Sequence, residues 1–409
     1  MTPRQRVLAA LNHEEPDRVP IDCGAMRSSG IQAIAYHRLM SHLGITADPP
    51  RVYDMVQQLA EPDPSYLERF DVDALNAGYQ FDPKNWKPWT LPDGTPCRIP
   101  AYLDVRPQDG DWLVHDGAGR VVARMAAGTT YFSQTTWPMS DDNWYDQLPA
   151  LPEKMPLVIW AALPEPMYAD GLTEANVQRI AAHVRRLRET HEQAIVLAVG
   201  ANLFEWGTFL RRMDNFLMDL ASDRIRAEAL LDKLVECHLA SFDRLLPSVG
   251  DLVDVIHLGD DLGMESGPFF APRMYREIFK PRHRILLERI KKAHPHAKTF
   301  LHSCGSISSL LEDLIEAGFD IINPVQISAR DMAPADLKRR FGRHVVFWGG
   351  GCDTQKILPR ATPQQVKDHV RRNVDILAPG GGFVFCPVHN ILSEVPPENV
   401  VAMYEAVHP

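Results

Sequence analysis

The chain has 409 residues, of which 45% are hydrophobic and 23% charged, and a formal net charge of −10. That balance belongs to a folded globular protein and argues against a general binder of nucleic acid or of an anionic membrane surface. No apolar run approaches the roughly 18 residues a transmembrane helix needs, so no membrane partner is expected. Six cysteines lie far apart, at 23, 97, 237, 304, 352 and 386, with no CxxC pair. Scattered cysteines in a large chain suggest reduced thiols and a cytoplasmic location, with some thiols able to bind metal.

Taken in chain order, "MTPRQRVLAALNHEEPDRVP" reads as a short amphipathic helix rather than a signal peptide. Residues 80–140 carry short alternating runs split by DG and AG turns, and predict a β-meander inserted over one end of the fold. It could serve as a substrate lid or as structural padding. From residue 194 the pattern becomes regular. "AIVLAVG" (194–200) predicts a buried strand and 207–246 a helical stretch. "LVDVIHLGDD" (252–261) is followed by a helix with an internal Pro281, and "KTFLHSC" (298–304) by "SSLLEDLIEAG", closed by Gly318. "FDIINPV" (319–325), "HVVFWGGG" (344–351) and "GFVFCPVHN" (382–390) are each followed by a helical pattern. Six strand–helix units in series imply a parallel sheet. Two further units from the first half would close it into a (β/α)8 TIM barrel, a single domain over residues 1–409.

Active sites of such barrels lie at the C-terminal ends of the strands, and here those ends are polar. They offer Asp260 and Asp261; His302 and Cys304; Asn323 and Gln326; Cys352 and Asp353; and Cys386, His389 and Asn390, with Glu205 following the 194–200 strand. Neighbouring strand residues face opposite ways, so one of Asp260 and Asp261 is expected to face the centre, where a carboxylate could act as general acid or base. The alternative for that pair is helix capping or a salt bridge. His302 and Cys304 are two apart, so in an extended chain both point to one side. They could supply two ligands to zinc, which takes thiolate, imidazole and carboxylate in a tetrahedral shell. The competing reading makes Cys304 a small buried hydrophobe and His302 a satisfied polar residue. Cys386 and His389 are candidates for a third ligand. Ser306 and Ser308 read as helix-capping residues. Neither glycine triplet, 349–351 or 380–382, fits a phosphate loop.

The opening "MTPRQRVLAALNHEEPDRVPID", together with "GDDLGMESGPFFAPRMYREIFKPRH", "LHSCGSISSLLEDLIEAGFDIINPVQ", "WGGGCDTQ" and "PVHNILSEVPPENVVAMYEAV", resembles the uroporphyrinogen decarboxylase superfamily over nearly the whole chain. The resemblance implies one of two branches. Decarboxylases are cofactor-free, act on a tetrapyrrole and carry an RQAGRY signature that binds substrate carboxylates. Here "CGAMRSSGI" stands in its place, with Arg27 the one arginine left. The methyltransferase branch moves methyl groups to or from corrinoid proteins at a zinc site with an HxC pair, and His302–Ser303–Cys304 matches that pair. That branch's last zinc ligand is a Cys seven residues before a Pro. Pro396 places His389 at this position, so His, Cys and His would replace His, Cys and Cys, with Cys386 the alternative.

The resemblance therefore implies a zinc-dependent methyltransferase or demethylase. It would act on a small O- or N-methylated substrate, with a separate corrinoid (cobalamin) protein as partner, since no DxHxxG corrinoid motif occurs in the chain. His302, Cys304 and His389 or Cys386 would hold Zn2+, with Glu205 a candidate fourth ligand. Asp260, Asp261 and Glu205 would serve catalysis. Arg27, Asn323, Gln326 and Asn390 would contact substrate, and a homodimer is compatible with the family. The alternatives are a metal-free decarboxylase-like lyase and a non-enzymatic barrel that binds a small ligand.

Overall fold

The computed structural model describes residues 1–77, 85–163 and 172–408. Its centre is a parallel sheet of seven strands: β1 (Ala74–Asn76), β2 (Ala194–Gly200), β3 (Val255–Gly259), β4 (Lys298–His302), β5 (Ile321–Asn323), β6 (Val346–Trp348) and β7 (Phe383–Val384). They neighbour one another in chain order. The extended segment Pro20–Asp22 occupies the eighth position. The Phe385 N–H donates to the Pro20 carbonyl at 2.9 Å and the Asp22 N–H to the Phe385 carbonyl at 2.9 Å. On the other side the Asp73 N–H donates to the Ile21 carbonyl at 2.8 Å. This segment joins β7 to β1 and completes the expected TIM-barrel-like ring.

A period of two runs through the strands. Ala74, Ala194, Val196, Val255, Phe300, Ile321, Val346, Trp348, Val384 and Cys386 form one buried cluster inside the ring. The residues between them, among them Ile195, Leu197, Ile256, Leu301, Ile322 and Phe347, belong to the outer core beneath the helices. Each large side chain so buried contributes roughly 1.5–3 kcal/mol relative to exposure. The N-terminal helix, Pro3–Leu11, begins with a capping box between Thr2 and Gln5. Its Val7, Ala10 and Leu11 join the inner cluster, while Arg6 pairs with buried Asp73 at 2.6 Å.

The region from 85 to 134 is antiparallel. Trp86–Thr90 pairs with Pro96–Pro100. Asp104–Gln108, Asp111–His115, Val121–Met125 and Ser133–Gln134 form a four-stranded sheet in chain order. The Asp109–Gly110 turn has both residues at positive φ, 52° and 88°, which matches the twist of the flanking strands. Residues 80–84 of the expected meander lie outside the described residues.

Two local expectations are corrected. The helical stretch 207–246 is three helices, Phe204–Arg211, Met213–Ser222 and Arg224–Val249. The first break falls at Arg212, at φ 73°, where no glycine or proline signals it and the apolar spacing continues. Ser306 and Ser308 do not cap the following helix: it runs Leu311–Ala317 with Leu310 at its N-cap and no side-chain cap bond. Its predicted end is correct, with Gly318 in the left-handed region at φ 119°. At Pro281 the chain absorbs the missing N–H with a π-turn, Tyr275–Phe279, before the helix resumes at Lys280–Ala293.

Candidate metal centre and cavity

The inward phase of the strands continues past the apolar layer and turns polar at their C-terminal ends. Val255 is followed two residues on by His257, Phe300 by His302 and Ala74 by Asn76. All three polar side chains line a cavity of about 500 Å³ at that end of the ring, within the usual range for ligand pockets. Its floor is polar, with Arg27, Gln57, Asn202, Glu205, Asp261 and His389 joining His257 and His302. Its upper walls are apolar, from Met155, Trp160, Leu172, Trp206, Phe209 and Leu245.

At the floor, the potential ligand atoms of His302, Cys304 and His389 all lie within 4.8 Å of one another. The Cys304 sulfur is 3.5 Å from His302 Nε2. Both rings are held from behind. Asn323 donates from Nδ2 to the Trp348 carbonyl at 2.7 Å. A carbonyl only accepts, so Asn323 Oδ1 is the atom that faces His302 Nδ1 at 2.6 Å and takes the Ser28 hydroxyl at 2.9 Å. His302 Nδ1 therefore carries the hydrogen and Nε2 the lone pair. His389 repeats the device. Its Nδ1 lies 2.9 Å from Asn390 Oδ1, and Asn390 Nδ2 donates to Gln57 Oε1 at 2.7 Å. Burial, with His302 nearby, pushes the His389 imidazole below its ordinary value and keeps it in the neutral, ligating form.

The loop carrying Cys304 is fixed against the loop after β3. The Cys304 N–H donates to Asp261 Oδ1 at 2.7 Å, the Leu262 N–H to the Ser303 hydroxyl at 3.0 Å, and the Gly305 N–H to Gln326 Oε1 at 2.7 Å. Gly305 sits at φ +86°, and a Cβ there would meet the Gly263 backbone at 2.3 Å, so this contact needs glycine. Burial, with Asp261 and Glu205 alongside, pushes the Cys304 thiol well above its ordinary value. A metal bound here must displace that proton.

The donor set fits zinc: two imidazoles presenting Nε2, one thiol, the Asn323 and Asn390 amide oxygens behind the two rings, and a cavity left for a further ligand. Asp261 Oδ1 stands 3.7 Å from His302 Nε2. Glu205 is next to it, accepting from Asn202 Nδ2 at 2.5 Å and from the Asp261 N–H at 3.1 Å. Burial, with Asp261 and Asp260 close by, pushes the Glu205 carboxyl well above the ordinary carboxylate range.

The other residues singled out from sequence fall in different places. Asp261 faces the cavity, and Asp260 faces the other way. Fully buried, Asp260 accepts from the Phe204 and Glu205 N–H groups at 3.0 and 2.9 Å and stands 3.3 Å from His283 Nε2. It caps the helix that presents Glu205. Arg27 lines the cavity with its Nε on Asp54 at 2.5 Å. Asn323, Gln326 and Asn390 stand behind the ligands instead of lining the cavity, and Gln326 also donates to Glu265 at 2.7 Å. Cys386 is fully buried in the apolar interior, its thiol pushed up by burial, and the three-residue cluster contains His389 in its stead. Cys352 is likewise buried in the core, and Asp353 caps the turn at Gln355 and Lys356.

Sequence reasoning missed His257 and His238. His257 could have been found by counting back in twos from the end of its strand. It lines the cavity floor, and burial, with His302 and Arg27, pushes it down to about 3. His238 reaches the cavity from helix Arg224–Val249 and holds the Asn202 carbonyl at 3.1 Å.

The arrangement is that of an α/β barrel enzyme with a metal-ligand cluster at its catalytic end. The uroporphyrinogen decarboxylase (URO-D) family model matches residues 161–409, and the chain belongs to that family. A methyltransferase from Methanosarcina mazei shares the fold at a TM-score of 0.59 and 18% identity, over 100% of this chain and 98% of that one. Two further barrel structures are less similar. An endoxylanase retrieved from a sugarcane soil metagenome gives a TM-score of 0.36 at 8% identity, over 56% of this chain and 81% of that one. A beta-1,4-mannanase from the sea hare Aplysia kurodai gives 0.33 at 10%, over 74% and 95%. No curated protein matches the chain. Among the described residues no helix is long and apolar enough to cross a membrane.

Proposed function

We propose that this protein is a zinc-dependent methyltransferase that takes a methyl group from a small O- or N-methylated substrate and passes it to a corrinoid carried by a separate protein. The observation that carries the proposal is the convergence of His302, Cys304 and His389 within 4.8 Å at the floor of a cavity. Zinc, when bound, supplies Lewis acidity toward the substrate heteroatom.

The remaining work falls to the chain's own residues. Asn323 and Asn390 hold the two imidazoles with Nε2 toward the cavity. Asp261 fixes the Cys304 backbone. Glu205, its carboxyl pushed up by burial, stands at the floor where its protonated form would deliver a proton to the oxygen or nitrogen that loses the methyl group. The apolar upper walls exclude water from the departing methyl. The metal-free decarboxylase reading needs several cations to clamp a polyanionic tetrapyrrole. The cavity lining offers Arg27, already engaged by Asp54, and Arg244.

Anaerobic reconstitution with zinc followed by elemental analysis tests the proposal. Wild type is expected to retain about one zinc per chain, and His302→Ala and Cys304→Ser to lose it. Wild-type protein that stays metal-free after reconstitution refutes the zinc mechanism.

A further inference from the structure

Three consecutive N–H groups hold the turn that carries Cys304. The Cys304 N–H donates to Asp261 Oδ1 at 2.7 Å, the Gly305 N–H to Gln326 Oε1 at 2.7 Å, and the Ser306 N–H to the Met264 carbonyl at 2.8 Å. Two of these acceptors belong to the chain just after β3. That chain runs on as a small antiparallel hairpin, in which Gly263–Met264 pairs with Gly267–Pro268. Glu265 stands exposed between the two short strands and outside the cavity lining.

Glu265 Oε1 accepts from Gln326 Nε2 at 2.7 Å and from Gln355 Nε2 at 2.9 Å, and the Glu265 carbonyl accepts from the Arg330 N–H at 2.9 Å. One residue thus ties the loop after β3 to the loops after β5 and β6. Its two amide partners are not equivalent. Gln355 is exposed, so water replaces that bond at little net cost. Gln326 is buried, and its amide offers an oxygen on one side and an NH2 on the other. While Glu265 holds the NH2, the oxygen faces the Gly305 N–H. The reversed amide would set donor against donor there and leave a buried N–H unpaired.

We propose that Glu265 is a positioning residue for the Cys304 thiol. Acting through Gln326, it fixes the Gly305 N–H, and with it the turn on which the sulfur stands 3.5 Å from His302 Nε2. It does for the thiol what Asn323 and Asn390 do for the two imidazoles. The assignment rests on the zinc reading above.

Titration of the metal-free full chain with Co2+, and zinc competition against a chromophoric chelator, test it. A thiolate bound to Co2+ gives a near-ultraviolet charge-transfer band, so the band reports the metal–sulfur bond itself. It is expected in wild type and absent in Cys304→Ser. Glu265→Ala is expected to weaken the band and to lower zinc affinity about 10-fold, the lower end of what an outer contact contributes. Glu265→Gln keeps an Oε1 acceptor and is expected to restore both, while Gln355→Ala leaves both unchanged. The double variant Glu265→Ala with Gln326→Ala is expected to bind zinc no more weakly than Gln326→Ala alone, because the two residues act in series. A wild-type band and affinity in Glu265→Ala overturns the assignment. So does a Glu265→Gln protein as impaired as Glu265→Ala, an additive loss in the double variant, or a band that survives in Cys304→Ser. Each of these leaves zinc binding by the wild type standing. Wild type that binds neither metal overturns the zinc reading and this assignment together. Zinc binding with no methyl transfer to cob(I)alamin overturns the transfer reading alone.

Discussion

His302 Nδ1 and Asn323 Oδ1 stand 2.6 Å apart, and this contact sets which nitrogen of His302 faces the cavity. The Trp348 carbonyl fixes the amide from the other side, so the tautomer is imposed by the backbone of β6. Outer contacts of this type typically change metal affinity by about 10- to 100-fold. Asn323→Ala is expected to weaken zinc binding within that range while leaving His302 and Cys304 in place. Competition with a chromophoric chelator measures it. Unchanged affinity would show that the ring is oriented without the amide.

His389 and Cys386 are the two candidates for a third ligand, and their surroundings differ. Cys386 belongs to the apolar interior, 3.9 Å from Asn323 Nδ2, and His389 closes the triad. Cys386→Ala is expected to cost stability on the order of 1 kcal/mol through lost packing and to keep its zinc. His389→Ala is expected to lose zinc with little change in melting temperature of the metal-free protein. Metal analysis beside thermal melts separates the two, and zinc loss from Cys386→Ala alone would reverse the assignment.

These two cases show what could be read from sequence. Phase was legible: two-residue spacing put His302 and Cys304 on one side, and adjacency put Asp260 and Asp261 on opposite faces. Height in the barrel was not legible, because it depends on the stagger between strands. Asn323 pairs in register with His302, so it meets the ring from the side and does not contact the cavity. Cys386 shares the inward phase of Val384 but lies in the filled layer. The upper walls were illegible for a different reason. Trp206 and Phe209 lie just before a helix break at Arg212 that carries no sequence signal, and the span contributing Met155 and Trp160 has no strong periodicity. The family resemblance pointed to His302 and Cys304 and left the third position between His389 and Cys386; spacing alone left all of them undecided.

Glu205 was read from sequence both as a catalytic group and as a fourth zinc ligand, and one variant tells these roles apart. Glu205→Gln keeps the shape and removes the titratable carboxyl that burial, with Asp261 and Asp260 close by, pushes upward. A general acid is expected to contribute about 10²–10⁴-fold to turnover. The expected result is a fall in kcat of that order, with zinc content and KM close to wild type. Loss of zinc in this variant would make Glu205 a ligand instead.

The buried His238 gives the fold an acid limit. Its Nε2–H donates to the Asn202 carbonyl, and burial pushes its pKa down to about 4 from 6.5. Between those values the unfolded chain binds the proton and the folded chain does not, so stability rises with pH there and is lost as pH falls below about 6.5. The loss contributed at pH 5 is on the order of 2 kcal/mol. His238→Gln retains an N–H donor and does not titrate, so its urea midpoint is expected to change less than that of wild type between pH 7 and pH 5. Parallel slopes for the two proteins would assign the acid sensitivity to other groups.

Gly305 is the position where backbone geometry and the candidate metal site meet most directly. Its φ of +86° is unfavourable for any residue with a Cβ, and that atom would lie 2.3 Å from the Gly263 backbone. Backbone cannot yield as a flexible side chain can, so Gly305→Ala must push apart the loops that carry Cys304 and Asp261. The Cys304 N–H bond to Asp261 and the Gly305 N–H bond to Gln326 would lengthen together. The expected cost exceeds the roughly 1 kcal/mol of an ordinary unfavourable Gly-to-Ala change, and zinc affinity falls with it because the thiol moves relative to the two imidazoles. Gly94, in an exposed turn with φ +89° and open space around its Cβ position, supplies the control. Gly94→Ala carries the dihedral penalty alone and is expected to leave zinc binding unchanged. Equal zinc affinity in the two variants would mean that the close approach of Gly305 to Gly263 does not position Cys304.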